Sequence, residues 1–324
     1  MLPNWLYGKS KSKLQEILGG GGAPSDYNQV KAQITQNTED IASLDDTLDT
    51  KAALTQISNP NLLDNPWFTV NQRGQSSYTE LSKYTVDRWR TEGTSADFSI
   101  DIVSDGVQLK RNVSEGYLAL SELNESTLLT PDKKYTLSIL YSDGTVKSNT
   151  FTVPTYEQSY LRIVSTQSHM GCQAIIDRSV SGSYNIIVLY DGDISVSPTI
   201  RAVKLELGSV STLAMDAAPN YATELAKCQR YFYKTLQFNN NGAIMSPNQC
   251  VAVATTRLQG IKFPTQMRDN PNITINKVVE LDSSTPITGV TAQWNTKEGI
   301  TYFSITGATV GSLYVVDSEA SAEL

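Results

Sequence analysis

The sequence predicts a mainly β protein with an N-terminal helical stalk: a parallel coiled coil followed by antiparallel β-sandwich or jelly-roll domains. Three observations predict it. Residues 27–48 repeat apolar side chains every 3.5 residues, the period of a coiled-coil seam. Asn59-Pro60 then ends the helix, because the residue before a proline is pushed out of the α region. Beyond it the apolar period becomes 2, and Asp-Gly turn signals separate the runs.

Written as heptads, the a positions of the stalk are Tyr27, Ile34, Ile41 and Leu48, and the d positions are Val30, Asn37 and Leu44. A lone helix has nothing against which to bury so narrow a stripe, so the pattern implies further copies of the same chain. Ile at a with Leu at d suits two strands as well as three, and residue types leave the copy number open. Asn37 is the polar layer: a buried amide without a partner costs roughly a few kcal/mol, yet such a layer fixes register. The other reading of Asn37 is a frayed, solvated position. Asp40 at g would face Asp45 at e of a parallel neighbour, so the seam is weak alone and depends on the downstream domains to hold it.

Ahead of the stalk, Trp5, Leu6 and Tyr7 form an apolar plug and Lys9 to Leu18 a basic helical piece, with Leu14, Ile17 and Leu18 on one face. Gly19 to Gly22 make a flexible hinge. A cationic apolar peptide on a loose tether suits docking to another body, the alternative being a disordered leader. Trp5 favours docking, since tryptophan on a disordered tail is uncommon without a use for it.

The 324 residues leave room for two domains beyond the stalk. With 18% charged residues and a net charge of -7, the overall balance does not suggest a nucleic-acid partner or an anionic membrane surface. No apolar run approaches the ~18 residues of a membrane span, and the N-terminus lacks the apolar stretch of a secretion signal. A soluble product made in the cytoplasm is the expectation. Cys172, Cys228 and Cys250 are widely spaced with no C-x-x-C, so buried free thiols are expected rather than a disulfide framework or a zinc site. His169 is the only histidine, which removes most histidine-based catalysis and metal ligation.

Within the β region, Phe98, Ile100 and Ile102 alternate, as do Tyr135, Leu137, Ile139 and Tyr141, and Tyr184, Ile186, Val188 and Tyr190. Asp105-Gly106, Asp143-Gly144 and Asp191-Gly192 supply the turns. Short strands at this spacing, with no long helical pattern among them, argue for a sandwich or jelly roll over 58–218. Val251, Val253, Ile261, Phe263, Ile273 and Ile275, with the alternation around Tyr302 to Thr306 and Leu313 to Val316, argue for a smaller distal β-sandwich over 219–324. The expected organisation is thus 1–22, 23–57, 58–218 and 219–324.

Several motifs carry a resemblance. Ile34-x-x-Asn37-Thr38 resembles the Asn-at-d layers of trimeric autotransporter and viral fibre stalks, in which three asparagine amides hold a chloride on the axis. That resemblance implies a homotrimer with Asn37 as an axial ion-binding residue, and no other cofactor. Asn61-Leu62-Leu63-Asp64-Asn65-Pro66-Trp67-Phe68, followed by Tyr84-Thr85-Val86-Asp87-Arg88-Trp89, resembles the opening of the carbohydrate-binding-module-like jelly rolls of bacteriophage tail-fibre proteins. Lys204-Leu205-Glu206-Leu207-Gly208 is similar to their closing strand, and Glu224, Leu225, Cys228, Gln229, Arg230, Tyr231 and Phe232 to the segment after it. Phe263-Pro264-Thr265-Gln266-Met267-Arg268, with Pro271 and Ile273, resembles their distal domain, and Ala322-Glu323-Leu324 their usual ending. Each piece alone is weak, and together they span roughly residues 60–324. The resemblance implies a virion fibre, on tail or capsid, assembled in a bacterial host's cytoplasm. Trp5, Leu6 and Tyr7 would then dock to a virion protein and the β domains would meet a host surface glycan.

Glycan binding needs exposed aromatic faces with polar groups nearby. Trp67, Trp89, Trp294, Tyr156 and Tyr160 are the candidates. Trp67 and Trp89 are expected in the core, and Tyr156 and Tyr160, after Pro154, are the preferred contacts. Asp191 and Asp193 could contribute to a calcium site, but Asp-Gly is chiefly a turn signal. No enzyme is expected: no carboxylate spacing singles out a glycosidase pair, no G-x-S-x-G occurs, and no short repeat would build the long β-helix of a depolymerase. A polysaccharide-cleaving tailspike and a capsid decoration fibre without receptor specificity are the alternatives.

Overall fold

The computed structural model describes residues 29–41, 43, 58–125, 129–153, 162–177, 183–235, 249–281 and 286–323. The chain divides into two compact units, Met1–Ile57 and Ser58–Leu324. Trp5, Leu6, Tyr7, the glycine run, Tyr27, Leu44 and Leu48 lie outside the described residues.

In the first unit residues 29–41 form helix α1. Its polar side chains bond one turn along: Gln36 Nε2 donates to Asp40 Oδ1 at 3.0 Å, and Thr38 Oγ1 to the Ile34 carbonyl at 2.8 Å. Ile34 and Ile41, one heptad apart, are 48% and 51% exposed. Asn37 between them is also exposed, with Gln33 Nε2 at 3.4 Å from its Oδ1. The heptad stripe is therefore a solvent-facing feature of the single chain.

The second unit is mainly β and antiparallel throughout. Strands β1 (Ser77–Tyr78), β3 (Phe98–Val103), β4 (Gly106–Arg111), β11 (Thr199–Leu207), β6 (Lys134–Tyr141) and β7 (Val146–Thr152) form one sheet in that spatial order. Strands β2 (Arg90–Gly93), β5 (Leu118–Glu125), β10 (Ser183–Tyr190), β9 (Cys172–Asp177) and β8 (Arg162–Ser165) form the second. Phe98 and Ile100 on β3, Val107 and Leu109 on β4, and Ile186, Val188 and Tyr190 on β10 turn inward into one core, as period 2 demands. Gly106 follows the β3–β4 turn at φ +124, where a Cβ would sit 2.0 Å from the Ile200 carbonyl oxygen, so only glycine lets β4 approach β11. Trp89, fully buried, packs on Phe68 with ring centroids 5.0 Å apart.

Helix α2 (Tyr221–Gln229) follows, capped by Asn220, whose Oδ1 accepts from the Ala222 and Thr223 amides at 3.0 and 3.3 Å. The remaining strands are β12 (Phe232–Lys234), β13 (Gln249–Ala254), β14 (Arg257–Lys262), β15 (Asn272–Glu280), β16 (Pro286–Ile287), β17 (Thr291–Thr296), β18 (Gly299–Ser304) and β19 (Leu313–Ser321). Seven of them run in the order β16-β15-β19-β13-β14-β18-β17, and β12 also pairs with β19. The β13 register shifts between Ala252 and Ala254. Leu258 on β14, Phe303 on β18, and Tyr314 and Val316 on β19 share a core.

Candidate functional site

The motifs scattered along the sequence meet at one buried joint. The opening segment runs beside β11: the Leu62 amide donates to the Leu205 carbonyl at 2.9 Å, and Asn61 Nδ2 to the Val203 carbonyl at 2.8 Å. Asn65 then bonds the Val70 amide, and its Nδ2 reaches the carbonyls of Val70 and Asp87. Its own carbonyl accepts from Trp89 Nε1 at 3.2 Å. This places Arg88, at φ +74 and 1% exposed, against Tyr231, just beyond the end of α2. The Arg88 guanidinium lies 3.6 Å from the centroid of the Tyr231 ring, with Asp64 at 3.5 Å and Glu122 at 3.8 Å, and Nη2 donates to the Leu123 carbonyl at 2.8 Å. Glu224 of α2 accepts from the Asn65 amide at 2.9 Å and Lys227 Nζ at 2.7 Å.

A second ionic group lies beside the first. Arg73 reaches Asp87 at 3.3 Å and Glu323 at 2.6 Å while its guanidinium stacks 3.8 Å from the Phe232 centroid. Gln72 Nε2 donates to Asp87 Oδ2 at 2.6 Å and to the Phe232 carbonyl at 2.8 Å. The Ala322 amide donates to the Tyr231 carbonyl, and the Arg268 amide to the Arg230 carbonyl, both at 2.7 Å. Residues 72–88 are thereby tied to residues 231–232 and 322–323 by contacts that include the motif residues Asp87, Tyr231, Phe232 and Glu323, together with Gln72 and Arg73 outside the motifs. Burial pushes the Asp87 carboxyl up to about 6 and Glu323 up to about 7, against the pull of the one arginine they share. Burial likewise raises Glu122, although Arg88 opposes it.

The K-L-E-L-G strand has a similar structural use. Lys204, fully buried, donates at 2.7 Å to each of Ser58 Oγ, Thr212 Oγ1 and Asp216 Oδ2, with Glu206 at 3.4 Å. Thr212 in turn bonds Glu206 through its amide and hydroxyl. Ser58, where the unit begins, is fixed by this cluster and also donates to Asp216.

Of the glycan candidates, Trp89 is core. Trp67 is half-buried against the Leu140, Ala202 and Leu213 cluster, with the Arg201 guanidinium 5.5 Å from its ring. Tyr156 and Tyr160 lie outside the described residues. Asp193 Oδ1 accepts from the Ser195 amide at 2.9 Å, a local turn, and no metal-holding group of three occurs among the described residues. The three cysteines are free and buried. His169 Nε2 pairs with Asp143 at 2.8 Å.

Trp294 is different. It is 72% exposed on β17, at φ +53, and its ring meets Tyr302 of β18 edge to face with centroids 5.7 Å apart. The Arg257 guanidinium of β14 lies 4.2 Å from the Tyr302 centroid. An indole, a phenol and a guanidinium thus stand in a row across three strands. The sequence carries a sign of it: Gln293-Trp294-Asn295-Thr296 sets a tryptophan among polar residues, unlike a core strand.

No family model matches the chain, and no curated protein matches it. Among solved structures, the N-terminal CBM22-1-CBM22-2 tandem domain of Paenibacillus barcinonensis Xyn10C is similar over 82% of this chain and 92% of its own, at 8% identity and a TM-score of 0.20.

Proposed function

We propose that the chain is the subunit of a trimeric bacteriophage fibre, a structural virion protein that displays its β domains for adhesion to a host or environmental glycan. The observation that carries this reading is the stripe of Ile34, Asn37 and Ile41, exposed on α1 at heptad spacing and in need of partner helices. In the trimer three Asn37 amides would surround an axial chloride. Trp5, Leu6 and Tyr7 would dock the fibre to a tail or capsid protein, and residues 58–218 would be the jelly roll. Two rigid β domains joined by buried ion pairs suit a part that transmits force without flexing.

Cleavage of the glycan is the competing reading. It needs two carboxylates about 5 to 10 Å apart around an open groove. Asp64, Glu122 and Glu224 do lie together, but they serve Arg88 and backbone amides inside the joint. The test is incubation of the full chain with isolated surface polysaccharide of the host. Retention without new reducing ends is expected. Reducing ends that rise with time would make the protein a tailspike enzyme, and no retention would leave a decoration fibre without receptor specificity.

A further inference from the structure

The platform on the distal sheet has the chemistry of a binding site. A bulky residue at positive φ is strained, and an indole held in water forgoes its burial. Trp294 carries both costs, and the Thr301 hydroxyl donates to its carbonyl at 2.9 Å, which holds that conformation. Polar side chains stand beside it. Gln293 and Gln259 flank Tyr302 in register, one on each neighbouring strand. A shallow depression of about 310 Å³ on the same strands is lined by Gln259, Lys262, Thr296, Glu298 and Thr301. Amides and hydroxyls around an aromatic face match the alternation of C–H and O–H on a pyranose ring.

Charge narrows the ligand. Arg257 stacks on Tyr302 and forms no ion pair with a carboxylate among the described residues, which leaves its edge N–H groups for an external acceptor. Resting on the adhesive reading above, we propose that Trp294, Tyr302 and Arg257 form a binding platform for a uronate-bearing oligosaccharide. A sugar ring lies on the indole face of Trp294, and its carboxylate takes a two-pronged contact from Arg257.

The full chain is titrated calorimetrically with hyaluronan oligosaccharides and with oligogalacturonate, and with neutral cello-oligosaccharides for comparison. At least one uronate probe is expected to bind, about tenfold or more tightly than the neutral one, with the preference shrinking as salt rises. Trp294→Ala should weaken binding of that probe by at least about tenfold, and Arg257→Gln should remove most of the preference for uronate. Failure of both uronate probes to bind, or binding that Trp294→Ala leaves intact, would overturn the platform. A neutral sugar bound at Trp294 and indifferent to Arg257→Gln would overturn the uronate assignment. Light scattering on Trp294→Ala guards the interpretation: a fall in oligomer mass would make this face a contact between copies of the chain and end the proposal. Retention of wild type and Trp294→Ala alike on host polysaccharide would remove this site and leave the adhesive reading standing, whereas no retention of either would remove the reading itself.

Discussion

Arg88→Ala is expected to lower the stability of the Ser58–Leu324 unit by about 3 to 5 kcal/mol, the usual cost of removing one partner of a buried ionic group. The charge removed is 1% exposed and faces Asp64 and Glu122 across 3.5 and 3.8 Å. Without it those carboxylates stay buried with no arginine to meet them. The substitution also takes the stacked guanidinium from Tyr231 and the donor from the Leu123 carbonyl. The alanine keeps a Cβ at φ +74, so no backbone strain is released in compensation. Denaturant melts of the full chain measure the loss. A shift of less than about 1 kcal/mol would place Arg88 among ordinary surface ion pairs and remove the joint as a structural element.

The second large effect is on pH. Asp87 and Glu323 share Arg73, and burial holds them at about 6 and about 7, above the ordinary values of 3.8 and 4.5. The folded protein therefore keeps protons that the unfolded chain gives up. The stability these groups contribute is present below their unfolded values and is lost as pH rises through 6 and 7. Glu122 and Asp64, also raised by burial, act in the same direction. Asp101, held below its ordinary value with help from Lys110 and Ser77, acts oppositely, but only in more acidic solution. Between pH 5 and pH 8 the unit should lose about 2 to 4 kcal/mol, a descent that thermal melts at fixed ionic strength record. Glu323→Gln should flatten the curve by about half. A level curve would mean that the two carboxylates keep ordinary values, and a rising one that Arg73 holds them ionised below those values.

Much of the β architecture is legible in the sequence, because period 2 reports directly which side chains face inward. Phe98 and Ile100 are buried as their alternation requires, as are Leu137, Ile139, Ile186 and Val188. Trp89 in the core follows from the same logic. The joint is not legible in this way. Its pairs lie far apart in the chain, Arg73 with Glu323 at a separation of 250 residues, and neither spacing nor local propensity encodes a contact that long. Asp87-Arg88-Trp89 stands out as a motif, yet only the fold shows the middle residue, at positive φ, turned onto the Tyr231 ring. The platform was half legible: Trp294 among polar neighbours is visible in the sequence, whereas Tyr302 and Arg257 reach it only through strand pairing.

The exposed heptad stripe of α1 implies partner helices, and the mass of the intact protein in solution tests that implication directly. Multi-angle light scattering of the full chain, at several concentrations, is predicted to give three times the 35.5 kDa of one chain. A mass of one or two chains would contradict the trimeric fibre.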